Sequence, residues 1–555
     1  MGGKNSQERY LAMPSFFKRQ KLTKTSQKNT NHNQSPNKLP ESIDFSLSVN
    51  LDILKQKTGN SSDIVSRHLK IGPNAKIKTA VVYVEGIVND QFIQDFLIES
   101  MMKDHFLQKE LTVQNALEII TDDLVAFSIV KPVSEWNQLL LSLMSGESII
   151  FIDGLNKALS VNTQGGEKRS IEEPSTQVSV RGSRAGFVES LGTNIAMVRR
   201  IIKNPDLWLE TMQIGKVTKT DVAILYVNGI AKKEIVEEVR SRLKKIEIDS
   251  ILESGYIEQL IEDQPYTSFP TIYNTERPDM VAGNLLEGRI AILVDGTPFV
   301  LLAPALFIQF FQIAEDYYAR FDIATALRLL RIFTFLISLI APAAYVAVTT
   351  FHQEMIPTQL VIAVAAQREA VPFPAIVEAI IMEVTFEILR EAGIRLPKAV
   401  GSAVSIVGAL VIGQAAVQAG IVSPAMVIIV SITAIASFAT PSFSMAISAR
   451  LIRFLFMLSA ATFGFYGIIL AFIMLIVHLC SLRSFGVPYM SPLAPFIPVN
   501  AGDSVIRLPL WDNIVRPKLI SDKDNLLQGE KKRPEPHANR GMVTSNTEKG
   551  DRNET

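Results

Sequence analysis

Four apolar runs crowd into the last two-fifths of this 555-residue chain and restrict what it can fold into. They are "LLRIFTFLISLIAPAAYVAVTT" (329–350), "AVGSAVSIVGALVIGQAAVQ" (399–418), "IVSPAMVIIVSITAIASFAT" (421–440) and "LIRFLFMLSAATFGFYGIILAFIMLIVHLC" (451–480). A helix rises about 1.5 Å per residue, so some twenty apolar residues cover a hydrocarbon core of about 30 Å. Each run reaches that length, and a helical membrane domain is expected over 329–485. The fourth run is long for one crossing. Gly464 and Gly467 are places where it can break into a hairpin.

The stretch between the first two runs, "PFPAIVEAIIMEVTFEILREAGIRLP", carries four glutamates and two arginines. On a helical wheel Glu383, Glu387, Arg390 and Glu391 fall within about 100° of arc. Glu378 points elsewhere, and Ile376, Val377, Ile380, Ile381, Val384 and Ile388 make the other face. Charges at bilayer depth are costly, so they must face protein or water and find partners. Arg390 is within reach of Glu387 and Arg395 of Glu391 on the same helix. Two readings stay open: a structural ion-pair network, or a charged vestibule beside an ion path. Three carboxylates against two arginines leave one negative charge over, which favours cations.

The second run has its own stripe. Val400, Val404, Val407, Val411, Gln414 and Gln418 repeat at spacings of four and three, beside Gly401, Ser405, Gly408 and Ile412. Small residues let helices approach closely. The valine–glutamine seam either packs against a neighbouring helix or lines a ring of copies; in the second case Val404, Val407, Val411 and Gln414 are the candidate pore face.

The composition before residue 329 differs. Residues 1–40 hold eight Lys/Arg against Glu8 and nothing to bury, so a disordered basic arm is expected. Beyond it, "AVVYVEGIVNDQFIQDF" and "AILYVNGIAKKEIVEEV" align at an offset of 143, matching Tyr83 with Tyr226 and Gly86 with Gly229. "IIFIDG" and "AILVDG" align at 142, matching Asp153 with Asp295. Two α+β subdomains of one build are expected, 41–177 and 220–310. Each opens on a β-branched strand and closes on an Asp-Gly hairpin turn, where glycine tolerates positive φ. Residues 178–219 are expected to be a connecting helical segment. Its basic end, Arg199 and Arg200 with Lys203, is either a solvated face or a contact for a partner. Residues 311–328 read as an amphipathic connector, and 486–555 as a tail, disordered after about 520.

Several classes are disfavoured. There is no Walker A loop, GxGxxG, HExxH or GxSxG, and the six histidines form no ligand pattern. An enzyme is not expected, nor a cofactor, a metal or a nucleic-acid partner at a formal net charge of zero. Cys480 is the one cysteine, so no internal disulfide forms. No signal-peptide core opens the chain, and the N-terminal region is expected on the cytoplasmic side. Positive-inside counting then fits if 373–391 crosses and if 451–480 is a hairpin; the alternative is a re-entrant 373–391.

Four stretches together resemble the A subunit of the spore germinant-receptor (GerA) family: "RGSRAGFVESLGTNIAMVRRIIKNPDL", "TERPDMVAGNLLEGRIAILVDGTPFVLLAP", the glutamate-rich stretch, and "GSAVSIVGALVIGQAAVQAG" followed by "VSPAMV". The resemblance spans roughly residues 41–500. Ser183 stands where the family commonly has proline, and Ile201 where it commonly has a basic residue, which weakens the basic helix end. The resemblance implies a multi-pass protein of the bacterial spore inner membrane. It implies action with a transporter-like B subunit and a lipoprotein C subunit. It also implies a ring of copies, of five, that releases cations when nutrient binds. A non-conducting scaffold subunit, or the related sporulation-stage membrane channel protein of the same family, are the alternatives it leaves.

Overall fold

The computed structural model describes residues 40–71, 77–98, 116–125, 128–166, 173–174, 177, 179–396, 411–498, 502–513, 515–522 and 526–527. The basic arm, Val400, Val404, Val407 and most of the end of the tail lie outside the described residues.

Two five-stranded sheets are built alike. The first holds β1 (Ile64–Ile71), β2 (Ile77–Val84), β3 (Val130–Val133), β4 (Glu147–Ile152) and β5 (Ala158–Asn162), in the order β1-β2-β4-β5-β3. Its helices are α1 (Leu47–Lys57), α2 (Ala116–Val125) and α3 (Trp136–Met144). The second holds β6 (Leu207–Ile214), β7 (Thr220–Val227), β8 (Tyr273–Thr275), β9 (Ile290–Val294) and β10 (Val300–Ala303), in the order β6-β7-β9-β10-β8. Its helices are α4 (Leu191–Ile201), α5 (Lys233–Lys244), α6 (Ser254–Ile261) and α7 (Pro278–Leu286). Every neighbouring pair is antiparallel. The central strands β2, β7 and β9 are buried almost throughout, as strands covered on both faces must be.

The repeat begins earlier than the aligned strands. Helix α4 and strand β6 fall in the segment expected to connect, yet they match α1 and β1, and the boundary expected near 219 lies inside the second sheet. Polar pairs show the correspondence. Asn50 bridges the backbone of Asp44 at 2.9 and 2.7 Å, and Asn194 does the same for Val188 at 2.8 and 2.5 Å. Asp153 Oδ1 accepts from the amide of Leu47 at 3.0 Å, and Asp295 Oδ1 from that of Leu191 at 3.0 Å. The Asp-Gly turns, with φ of 90° at Gly154 and 88° at Gly296, thus satisfy the first free amide of each opening helix.

The helical region follows. Helix α8 (Phe321–Thr350) starts inside the expected connector; α9 (Thr358–Arg368), α10 (Ala375–Arg395), α11 (Pro424–Phe438) and α12 (Phe443–Ser481) succeed it. Helices α8 and α12 are each long and apolar enough to cross a membrane. Helix α12 is not one rod. Gly464 breaks it with φ 61° and ψ −139°. Ser448 donates to the carbonyl of Ser268, and His478 Nε2 lies 2.9 Å from Thr267 Oγ1. A straight helix would separate residues 448 and 478 by about 45 Å. Both touch one short loop, so the chain reverses at Gly464 into arms 443–463 and 465–481. The reversal packs against the far end of α8, where His352 and Phe465 lie with ring centroids 5.2 Å apart.

The chain then returns to the second sheet. Leu479, Leu482, Phe485, Val487 and Tyr489 belong to its hydrophobic core, as do Phe335, Met445 and Ala449. Gln309, Arg328 and the segment 502–508 close the junction, and Asp522 N–H reaches Ile230 O at 2.7 Å. The tail from 486 to 522 is therefore a packed part of the second unit wherever it is described.

Candidate functional site

Helix α10 starts after Pro374 and turns two unlike faces. Val377, Ile380, Val384 and Ile388 are exposed, while Ala375, Glu378, Ala379, Met382 and Glu383 are buried. Glu378 and Glu383 thus face the other helices and the branched side chains face out, as in a helix bundle surrounded by an apolar medium.

The partners come from α12. Glu383 Oε2 accepts from Arg453 Nη1 at 2.5 Å, with both side chains 3% exposed. Arg453 Nε also donates to Ser338 O of α8 at 2.6 Å. One turn along, Glu387 pairs with Arg450. The four-residue step on α10 meets the three-residue step on the antiparallel first arm of α12. The expected bond from Arg390 back to Glu387 is therefore replaced, because the facing helix presents a guanidinium straight at that carboxylate. Arg390 instead lies over the ring of Phe438 at 4.8 Å, with Nη1 3.5 Å from Ser437 Oγ. Glu391 and Arg395 form the expected i,i+4 pair at 2.6 Å, on the surface.

Glu378 points away from this row, as the wheel requires, and is fully buried. Its Oε1 accepts from the amide of Ser423 at 2.6 Å and from the Ser423 hydroxyl. Ser423 is the N-cap of α11, so the carboxylate sits where the helix dipole favours negative charge. Tyr345 OH lies 3.0 Å from Ser423 Oγ, and Arg368 Nε is 3.8 Å from Glu378 Oε2. Glu383–Arg453 and Glu387–Arg450 are thus the interhelical rungs of a ladder along α10, with the buried Glu378 held separately on another face before them and the exposed Glu391–Arg395 pair after them. Arg450 and Arg453 change its balance. Glu383, Glu387 and Glu391 now face Arg390, Arg395, Arg450 and Arg453, so the surplus is one arginine rather than one carboxylate. With that balance the ladder carries no surplus negative charge to favour cations.

The stretch that holds both sheets, the ladder and the hairpin is also the stretch over which the chain matches a family of known proteins. The model of the Bacillus/Clostridium GerA spore germination protein family matches residues 52–519. The chain belongs to the GerA spore germination family. It is 60% identical to spore germination protein KA of Bacillus subtilis (strain 168), over 94% of this chain and 95% of that protein. It is 47% identical to the uncharacterized membrane protein YfkQ of the same organism, over 86% of this chain and 92% of that one. Among solved structures, the N-terminal domain of the A subunit of the Bacillus megaterium spore germinant receptor GerK3 is 59% identical. That match covers 48% of this chain and 98% of that one at a TM-score of 0.40.

In this GerA-family chain the other candidate residues fall as follows. Val411 and Gln414 are exposed on the described end of their helix, while Val404 and Val407 lie outside the described residues. Arg199 is 1% exposed and donates from Nε and Nη2 to Asp63 at 2.8 and 3.0 Å, and from Nη2 to Ser61 Oγ at 3.0 Å. Arg200 Nη2 donates to Gly165 O at 2.9 Å. Both arginines, expected as a candidate partner contact, are turned onto the first sheet unit and join the two repeats within the chain.

Sequence reasoning missed a second polar cluster at the base of α8. Asp316 accepts from Arg328 Nε at 3.0 Å and from Arg331 Nη1 at 2.9 Å. Asp503 of the tail accepts from Arg328 Nη1 at 3.0 Å and from Tyr317 OH at 3.0 Å. Burial, against the pull of Arg328, raises the Asp503 carboxyl above the usual carboxylate range and pushes the Tyr317 hydroxyl far above its usual value. In the sequence Arg328 and Arg331 are only positive charges at the start of the first apolar run, with nothing that points to Asp316 or Asp503. Among the described residues no cluster of His, Cys, Asp or Glu is arranged to hold a metal.

Proposed function

We propose that this chain is the A subunit of a nutrient germinant receptor in the inner membrane of a bacterial spore, and that copies of it form a ring that opens to ions when germination is triggered. The helical region crosses the bilayer through α8, α10, the 399–418 segment, α11 and the two arms of α12. This path returns the C-terminal segment to the side that carries the sheets, which is the cytoplasmic side. Arg328, Arg331, Arg390, Arg395, Arg450 and Arg453 all cluster toward that side, in keeping with the positive-inside rule. The single observation that carries the reading is the ladder: costly charges turned into the bundle beneath an outward apolar surface. A ring, of five copies, places Val404, Val407, Val411 and Gln414 on the axis. Val411 and Gln414, exposed in one protomer, are free to be covered by neighbours. The partners are a transporter-like B subunit and a lipoprotein C subunit.

A second reading has its own support. Glu383 and Glu387 are paired inside one chain, as a non-conducting scaffold subunit requires. Val407→Ala separates the two. Widening an apolar constriction makes spores lose cations without nutrient, read as potassium release from a dormant suspension. Dormant spores that hold their cations, and germinate as the parent does, favour the scaffold.

A further inference from the structure

We infer that water fills a polar file along α10 inside each protomer, so that the ladder is hydrated rather than dry. The inference rests on the reading that these helices cross a bilayer, and goes beyond it in locating an aqueous path off any shared axis.

The ion pairs are incomplete. Glu383 binds Arg453 through Oε2 alone; its Oε1 and the Nη2 of Arg453 have no hydrogen-bond partner, although each side chain is 3% exposed. At the next rung outward Glu378 Oε2 and Arg368 Nε face each other at 3.8 Å, too far for a hydrogen bond, and neither atom has another partner. Four atoms of charged groups are thus left over, two donors and two acceptors, one of each at either ion pair. Leaving such an atom unpaired and buried costs about 1–3 kcal/mol or more. Hydrocarbon offers nothing to pair with. Water bridges a donor and an acceptor at this kind of separation, with two to four polar neighbours to hold it.

The file also has extent, from the Glu378 rung to Arg390; the Glu391–Arg395 pair lies outside it on the surface. Residues 378 to 390 span about 18 Å along the helix, more than half of the roughly 30 Å of a hydrocarbon core. Its rungs are Glu378 with Arg368, Glu383 with Arg453, Glu387 with Arg450, and Arg390 beside Ser437. Ser338, whose carbonyl takes Arg453, and Ser437 line it from α8 and α11.

The test uses the full chain in lipid nanodiscs with Cys480 changed to serine. Ser338→Cys and Ser437→Cys each place one thiol on the file at nearly constant volume. Ile380→Cys and Ile428→Cys place one on the exposed apolar surface as controls. Silver ion is added from the aqueous phase, and thiols left unblocked are counted with a maleimide after denaturation. Only a thiol in contact with water ionises and reacts. The file positions are expected to be blocked about tenfold or more faster than the controls. Replacing both Glu383 and Arg453 by leucine is expected to slow Ser338→Cys to the control rate. Equal, slow blocking at all four positions overturns the hydrated file and leaves the membrane reading standing. Equal, fast blocking at all four removes the membrane reading and the file with it.

Discussion

Arg453→Leu tests the packing of α10 on α12 most directly. In the parent the guanidinium and the Glu383 carboxylate are each 3% exposed and bound at 2.5 Å. Leucine removes the cation, leaves the buried Glu383 carboxyl without its partner, and deprives Ser338 O of its donor. Breaking a buried pair from one side costs about 3–5 kcal/mol. Water beside Glu383 Oε1 softens the loss, which places it near about 3 kcal/mol. That is about two decades in the folded-to-unfolded ratio, and a large part of a total stability of about 5–15 kcal/mol. Combining Glu383→Leu with Arg453→Leu removes both charges, and such exchanges are commonly neutral or stabilising. The double variant should therefore recover most of what the single one loses. The assay is denaturation of the full chain in mild detergent by added SDS, with protein abundance in spores followed in parallel. An Arg453→Leu chain within about 1 kcal/mol of the parent, or a double variant no better than the single, refutes the pairing.

Gly464→Ala should destabilise by about 1–3 kcal/mol for the backbone alone; its Cβ would also lie 2.6 Å from His352 Cε1, so the hairpin tip must move, and proteolysis of the tail in the detergent-solubilised chain should quicken. Unchanged stability there would mean that the reversal lies elsewhere. Burial, reinforced by Glu262 and Glu253, raises the Glu258 carboxyl from 4.5 to about 7. The folded chain then holds a proton that the unfolded chain has released, so stability falls as pH climbs from about 4.5 to about 7 and stays lower above. Glu258→Gln should accordingly gain about 1–3 kcal/mol over the parent at pH 8 and little at pH 4; an equal gain at both values would show that Glu258 does not titrate this way.

The sequence made the duplication legible where the residues themselves repeat. Tyr83 and Tyr226 sit on β2 and β7, and Asp153 and Asp295 on the matching turns. It hid the start of the second copy, because α1 and α4 open on only a short shared pattern, Ser46-Leu47 and Asn50 against Ser190-Leu191 and Asn194, whose asparagines bridge the backbone rather than mark a boundary. The glutamate face of α10 was legible as geometry within one helix. Its partners were not: Arg450 and Arg453 lie more than sixty residues on, and their three-residue spacing gains meaning only once α12 runs antiparallel to α10. The same limit applied to Arg199, whose place near a helix C-terminus reads as solvated until Asp63 is brought across from the other repeat.

The two repeats stand in different mechanical positions, and this follows from their cores. The second sheet shares one hydrophobic core with residues of α8, both arms of α12 and the packed tail. Among the described residues, the core of the first sheet takes in only Ala196 of α4 from outside its own unit. A displacement of the helical region therefore acts on the second sheet directly, through Phe335, Met445 and Tyr489 and through the Arg328–Asp503 pair. It reaches the first sheet through α4, where Arg199 grips Asp63 and Ser61, and through β6, whose Leu209 amide is held by the same Ser61 hydroxyl at 2.8 Å. Arg199 and Ser61 thus form the joint at which the duplicated units either move as one body or part. A buried two-point pair makes that joint stiff, because parting it strands a guanidinium and a carboxylate away from water.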